Sequence, residues 1–341
     1  MPHARDRLTS LIAFDFSTAD WPDAIRGTLI TAVVTVIPVL AGDLQMAIPL
    51  SIGAAFIAVS EAGQAFSLRW RTMLWTTAAL TVAVGLGSAL SNVTFLAIAA
   101  TAVVAFICGA AGFLDRRAAV GGLLALVLFS IYVGVPVPMD DALTSAALVG
   151  LGGFIQAVAS VAMCALRGKH REPQPERTPF PPLSDLWRGD HMFLRHATRL
   201  AIVMAVATSI SEFASVPHPY WLPMSVAWMS KPDHDGTVVR VLHRMVGTIA
   251  GLAIAFIAVV IFRPTGSGFL PLAMLGVALA IAFIWANYAV AVTGVTIWVV
   301  SLFAMVGDPV IETMDARLLA TAAAAVLVLI ASWFPLRSRS A

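Results

Sequence analysis

This sequence predicts an all-α, polytopic membrane protein with about twelve transmembrane helices arranged as a 6+6 parallel internal repeat. Three observations predict it. Of 341 residues, 59% are hydrophobic and 12% charged, about half the charged share of a soluble domain, and mean hydropathy is +0.89. The apolar residues fall into runs close to the ~20-residue length that crosses a bilayer as a helix. Features of the first half also recur, in the same order, in the second.

In chain order, the first half holds apolar runs at 24–41, 44–60, 72–90, 93–113, 118–137 and 142–166. The second is short and carries Pro49. Asp115-Arg116-Arg117 separates the fourth from the fifth, and Pro136-Val137-Pro138-Met139-Asp140-Asp141 the fifth from the sixth. A polar stretch, 167–196, comes next with prolines at 173, 175, 179, 181 and 182, and it reads as an extended cytoplasmic linker. The second half repeats the pattern at 197–214, 217–231, 240–262, 268–284, 286–306 and 315–335. The domains are then 1–166, the linker, and 197–341.

With both termini cytoplasmic, the inner segments hold every Lys and Arg except Arg263 and Arg317, 19 of 21. That bias obeys the positive-inside rule and supports both this orientation and the helix count of a multi-pass protein. The N-terminal stretch carries Asp6, Asp15 and Asp20 without a long apolar core, so it reads as no secretory signal. Cys108 and Cys164 lie inside apolar runs and are expected as free thiols.

The repeat rests on four pairs. Arg26 matches Arg199, Pro49 matches Pro223, Glu61 matches Asp235 and Arg71 matches Arg244, all at an offset of 173 or 174. Six helices per half insert both halves the same way up, hence the parallel repeat. Paired short, interrupted runs at matching places point to a transport site. Here they are 45–60 and 217–231.

At about 1.5 Å per residue, the run 217–231 covers roughly 22 Å of a ~30 Å hydrocarbon core. Pro219 and Pro223 remove amide donors from it, and irregular backbone at such depth is tolerated only against protein or a water-filled cavity. Lys231 closes the run, and its counterpart Ile57 carries no charge. A cation at a membrane cavity marks a site for an anionic group; the plain alternative is a lysine snorkelling to the interface. His218, Tyr220 and Trp221 open the run as further substrate contacts, or Tyr220 and Trp221 belong to an aromatic belt. Arg26, as the counterpart of Arg199, joins the substrate-binding set. Glu61, Asp235 and Arg71 lie in inner loops of mixed charge and are expected to gate or couple. Arg244 opens the ninth helix, where Gly247, Thr248 and Gly251 form a GxxxG packing face. Pro49 and Pro223 shape the two short runs.

The sequence contains no Walker motif, Gly-rich dinucleotide turn, HExxH, Cys/His metal spacing or nucleophile elbow. It therefore reads as no enzyme, with no cofactor, no metal and no nucleic-acid partner.

Arg199, Pro219-Tyr220-Trp221, Lys231-Pro232, Arg240, Arg244 and Gly247-Thr248-x-x-Gly251 form a spaced set between positions 199 and 251. On these residues the chain resembles the fusaric acid resistance family, which includes aromatic carboxylic acid exporters. It is more distantly similar to plant aluminium-activated malate transporters. The resemblance implies a six-plus-six helical inner-membrane protein that moves small organic anions outward, with Arg199, Lys231 and Arg244 attracting the anion. Many relatives carry a large cytoplasmic domain where this chain has 167–196, which puts pairing with a periplasmic adaptor in doubt. The partners are then a small organic anion and the lipid bilayer, with a homo-oligomer compatible. The competing readings are an organic-anion channel and a non-transporting membrane assembly protein.

Overall fold

The computed structural model describes residues 21–60, 65–168, 180–187, 192–214 and 217–333, and among them all regular structure is helical. Glu61, the terminal charges and half of the linker 167–196 lie outside the described residues. The first-half helices are α1 (Trp21–Leu40), α2 (Leu44–Ser60), α3 (Phe66–Leu90), α4 (Thr94–Ala110), α5 (Arg116–Val133) and α6 (Met139–Leu166). Within the linker stretch sits a five-residue helix, Leu183–Trp187. The second half has α7 (Met192–Phe213), α8 (Trp221–Met229), α9 (His234–Phe262), α10 (Leu270–Phe283), α11 (Tyr288–Met305) and α12 (Val310–Trp333).

Ten helices among the described residues are long and apolar enough to cross a membrane, α4 running on through a 3-10 turn to Phe113 and α10 preceded by one from Gly266. The two that fall short are α2, with 17 residues, and α8, with nine. They occupy the two interrupted runs.

The breaks between helices are built from short polar side chains that cap the next helix. Asp43 accepts from the Met46 amide at 2.9 Å, and Asp115 from the Ala118 amide at 2.7 Å. Asp233 accepts from Gly236 at 2.6 Å, and Asn287 from Ala289 and Val290 at 3.0 and 3.2 Å. Each cap satisfies an amide that the helix start leaves without a partner. Gly42 completes the turn between α1 and α2 at φ +82°, a conformation that penalises a Cβ.

The helices have their polarity inside out relative to a soluble protein. On α1, Ile25, Leu29, Val33 and Ile37 are exposed at four-residue steps, while Thr31 and Thr35 are buried. The two hydroxyls donate to the carbonyls of Gly27 and Thr31. Helix α7 likewise exposes Ile202, Val206, Ile210 and Phe213. An apolar stripe facing out and hydroxyls facing in is the pattern that lipid, not water, selects. The protein is a multi-pass membrane protein.

The chain forms two compact units, each drawing on both sequence halves. The first comprises Met1–Thr77, Ala147–Gln174 and Leu242–Leu318. In it α10 packs along α11, and α1 packs on α2 and α10. Small residues set the spacing. A Cβ at Gly53 would collide with the Val149 carbonyl, and one at Gly152 with that of Leu50, so α2 and α6 meet backbone to backbone. Gly247 and Gly251 lie in the same way against Ala289 and Thr293 of α11, beside buried Thr248. The second unit comprises Ala78–Ala146, Pro175–Val241 and Leu319–Ala341. There α4 packs along α7, and α8 packs on α5 and α7. Residues Leu124–Ser130 of α5 and Trp221–Ala227 of α8 are buried all round, the signature of helices inside a bundle.

Gly152→Val is expected to lower stability by about 1–3 kcal/mol, the range for overpacking. Leu29→Ala on the lipid-facing stripe is expected to stay within about 0.5 kcal/mol. Thermal melts of the purified protein in detergent check both.

Candidate functional site

Helix α8 is shorter than its apolar run. It begins only after the turn at His218–Tyr220, where His218 has φ +50°, and ends at Met229 with Ser230 extended at ψ 127°. Pro232 explains the early end. A proline disfavours helical backbone in the residue before it, so Lys231 cannot continue the helix. At 1.5 Å per residue, nine residues give about 13 Å, under half the hydrocarbon thickness. Lys231 thus lies two residues beyond α8, in the non-helical break before α9, rather than on the helix itself.

The carbonyls at this break find side-chain donors. Arg199 on α7 donates to the Lys231 carbonyl at 2.5 Å and the Pro232 carbonyl at 3.0 Å. Arg240 on α9 donates from Nε to the Trp228 carbonyl at 3.3 Å. The Thr237 hydroxyl donates to the Asp233 carbonyl at 2.7 Å and accepts from the Lys231 amide at 3.3 Å. Cations at a helix C-terminus also oppose the negative end of its dipole.

Beside this break lies a small cleft lined by Arg199, Leu200, Val203, Ser230, Lys231, Thr237, Val328, Ala331 and Ser332. Its walls from α7 and α12 are apolar, and its polar groups are two cations and three hydroxyls. Burial, then the neighbouring Arg240 charge, lowers the Lys231 amine from 10.5 to about 8, with Asp233 opposing and Arg116 adding to the fall. The cleft is narrow, with room of about 10 Å³, enough for about one water molecule. His234 and Ser332, 2.9 Å apart between Nδ1 and Oγ, tie the start of α9 to the end of α12.

The other sequence-predicted residues sit apart from this cleft. His218, Tyr220 and Trp221 form an aromatic group at the opposite end of α8. His218 stacks on Trp221 at 4.4 Å, and Nδ1 of His218 lies 3.3 Å from the Tyr220 hydroxyl. Tyr220 and Trp221 are buried, so they pack inside the unit rather than form an exposed belt. Arg26 and Arg244 belong to the first unit. Arg26 pairs with Asp23 at 3.2 Å and donates to Ser160 at 3.0 Å. Arg244 does not stand at a helix mouth. Helix α9 starts at His234, capped by Asp233, which puts Arg244 well inside the helix, buried, with Nη1 3.5 Å from the Tyr288 hydroxyl. Asp235 is exposed in the first turn of α9. Arg71 lies over the Trp70 ring at 5.0 Å, and Glu61 lies outside the described residues.

Several residues were not singled out from the sequence. Arg69 reads there as a loop charge, yet it is in the first turn of α3, buried and 2.5 Å from Asp23. Asp23 and Arg26 stand at i, i+3 on one apolar helix, a pairing that sequence can signal. Gln156, fully buried with neither amide atom hydrogen-bonded, faces α1 near Gly27. Thr237 and Ser332 carry no distinguishing sequence mark.

Comparison with known proteins places the cleft in a family context. Residues 204–331 match the family described as Fusaric acid resistance protein-like. The resemblance read from the sequence holds over this stretch, which contains Lys231, Thr237 and Ser332; Arg199 lies just before it. The Inner membrane protein YccS of Escherichia coli (strain K12) is 29% identical over 133 residues, 37% of this chain and 18% of that protein. An uncharacterised protein of Haemophilus influenzae is 30% identical over 140 residues, 41% of this chain and 19% of its own length. The uncharacterised Escherichia coli protein YhfK is 32% identical over 104 residues, 30% and 15% of the two chains. The matched stretch thus spans less than a fifth of each of these relatives. No solved structure matches.

Arg199→Met removes both donors from the Lys231 and Pro232 carbonyls and is expected to cost about 1–3 kcal/mol, seen as a lower melting temperature. Lys231 gives a pH signature. Its folded value near 8 lies below the 10.5 of the unfolded chain, so between those values the unfolded state binds more protons and stability rises with pH. Wild type is therefore expected to gain stability relative to Lys231→Met as pH increases from 8 toward 10; a constant difference across that window would contradict the assignment.

Proposed function

We propose that this chain exports small organic anions, aromatic carboxylates among them, across the cell inner membrane. The observation that carries the reading is the cleft at the end of α8. A helix too short to cross the bilayer ends there beside Arg199 and Lys231. Basic groups at such a point raise the local concentration of anions. The name of the inner-membrane relative YccS supports the location.

The architecture we infer is twelve helices in a 6+6 parallel repeat, the halves 1–166 and 197–341 joined by a cytoplasmic linker, with both termini cytoplasmic. Reciprocal packing supports it. The first helix of each half packs on the fourth helix of the other, α1 on α10 in one unit and α7 on α4 in the other. A two-fold relation between halves generates such pairs of contacts. Arg199 and Lys231 are the groups we assign to the anion, with Arg26 and Arg244 holding local structure.

Efflux of labelled benzoate from proteoliposomes tests the reading. Wild-type protein is expected to release it well above protein-free vesicles, and Lys231→Ala to slow release by about tenfold, the effect of ~1.4 kcal/mol. Wild-type efflux no faster than the vesicle leak would sink the proposal.

A further inference from the structure

The linker stretch meets the membrane part of its own unit. Its five-residue helix, Leu183–Trp187, packs on α7. The Trp187 ring stacks on Phe106 of α4, with centroids 6.3 Å apart and planes at 28°. Phe106 stands inside the apolar span Thr94–Phe113. The start of α7 lies further along that span, since Gly112 abuts Phe193 and Gly109 abuts Ala197. Six residues separate Phe106 from Gly112 (112 − 106), about 9 Å along the helix. The chain thus lies beside the span before α7 begins.

What covers this segment follows from its surroundings. Phe106 is flanked on α4 by Val103 and Ile107, 59% and 62% exposed, part of an apolar face of the kind that lipid covers. Within the segment Leu186 is buried, while Phe180 and Trp187 are exposed beside that face. The backbone suits a place where water is scarce. Pro181 and Pro182 carry no amide hydrogen, and the Asp185 amide donates to the Pro182 carbonyl at 2.9 Å. Trp187 also shares its level with others of its kind. The other exposed tryptophans among the described residues are Trp21, Trp70, Trp75 and Trp333. Trp21 opens α1, Trp70 and Trp75 lie in the first half of α3, and Trp333 closes α12. In the topology we infer, these are the cytoplasmic ends of their helices. Tryptophan gathers at a membrane–water interface, where its amphipathic ring meets both phases.

We propose that residues 180–187 of the linker lie on the bilayer, with Phe180 and Trp187 at the boundary of lipid headgroups and acyl chains in the cytoplasmic leaflet. A segment lying in the membrane plane sinks its apolar face about 5–10 Å into that boundary, the level at which Phe106 stands. The linker is then tied down close to where the second half begins, with Trp187 holding it to α4, rather than running free through the cytosol. The choice of leaflet rests on the proposed topology. The seating in lipid depends neither on that topology nor on what the protein transports.

Spin labels at Phe180→Cys and, separately, Trp187→Cys test it, on the full chain with Cys108→Ala and Cys164→Ala in phosphatidylcholine proteoliposomes. Oxygen partitions into lipid and a nickel chelate stays in water, so power saturation ranks each site by its surroundings. Val103→Cys supplies the lipid reference, and Asp140→Cys, an exposed residue in the first turn of α6, supplies the water reference. The expected ratio of oxygen to nickel access at both linker sites lies well above that at Asp140 and approaches that at Val103. The Phe180 site leaves Trp187 in place and decides the matter should Trp187→Cys loosen the segment. A water-like ratio at Phe180 overturns the inference. Low access to both probes there overturns it too, because protein, such as a second copy of the chain, then covers the residue in place of lipid. Neither result touches the export reading, since no substrate enters the measurement.

Discussion

Two carbonyl oxygens, those of Lys231 and Pro232, have no further helix turn to bond, and Arg199 bonds both. A backbone acceptor that loses water without gaining a donor costs about 1–3 kcal/mol, so a helix break packed against protein calls for donors at hand. Arg199, Arg240 and Thr237 supply them from α7 and α9. The gathering of cations around Lys231 is thus first a consequence of the broken helix. The proposed recognition builds on it: a guanidinium carries five donors in a rigid fork, more than the two carbonyl bonds use. Residues Trp221–Ala227 of α8 are enclosed by protein.

The first unit meets its buried charge by a different route. Arg26 and Arg69 are enclosed, and Asp23 lies between them. Such ion groups are weak contributors to net stability, but removing one partner is costly. They therefore fix the mutual positions of α1, α3 and α6 more than they stabilise the fold. Close backbone packing does the stabilising, through Gly53 and Gly152 between α2 and α6 and through Gly247 and Gly251 between α9 and α11.

Legibility in the sequence divides along the same line. Apolar runs and polar breaks marked the positions of the helices because lipid imposes length and composition on each span. Side-chain environment was less legible. Arg69 and Arg244 read as loop or mouth charges since hydropathy ends a span at its first charge, whereas the helices α3 and α9 begin earlier, at Phe66 and His234. Their partners, Asp23 and Tyr288, are 46 and 44 residues away, a separation no local pattern carries. The neighbourhood of the end of α8 was legible in principle, because Pro232 disfavours a helical Lys231. Thr237 and Ser332 were not, being ordinary hydroxyl residues until the fold sets them beside Arg199.

The difference between the halves comes down to one step of sequence. Pro49 and Pro223 lie inside α2 and α8 alike, yet α2 runs on to Ser60 while α8 stops at Met229. At the repeat offset of 174, Lys231 and Pro232 stand where the first half has Ile57 and Ala58. Ile57 and Ala58 are helical and buried in the core of their unit. A proline in place of Ala58 would bar Ile57 from helix as Pro232 bars Lys231. The break and its carbonyls stand at that pair of residues, and an arginine that has a counterpart in the first half bonds them. The two halves differ here by no new helix, only by a proline and a lysine just beyond the point where α8 stops.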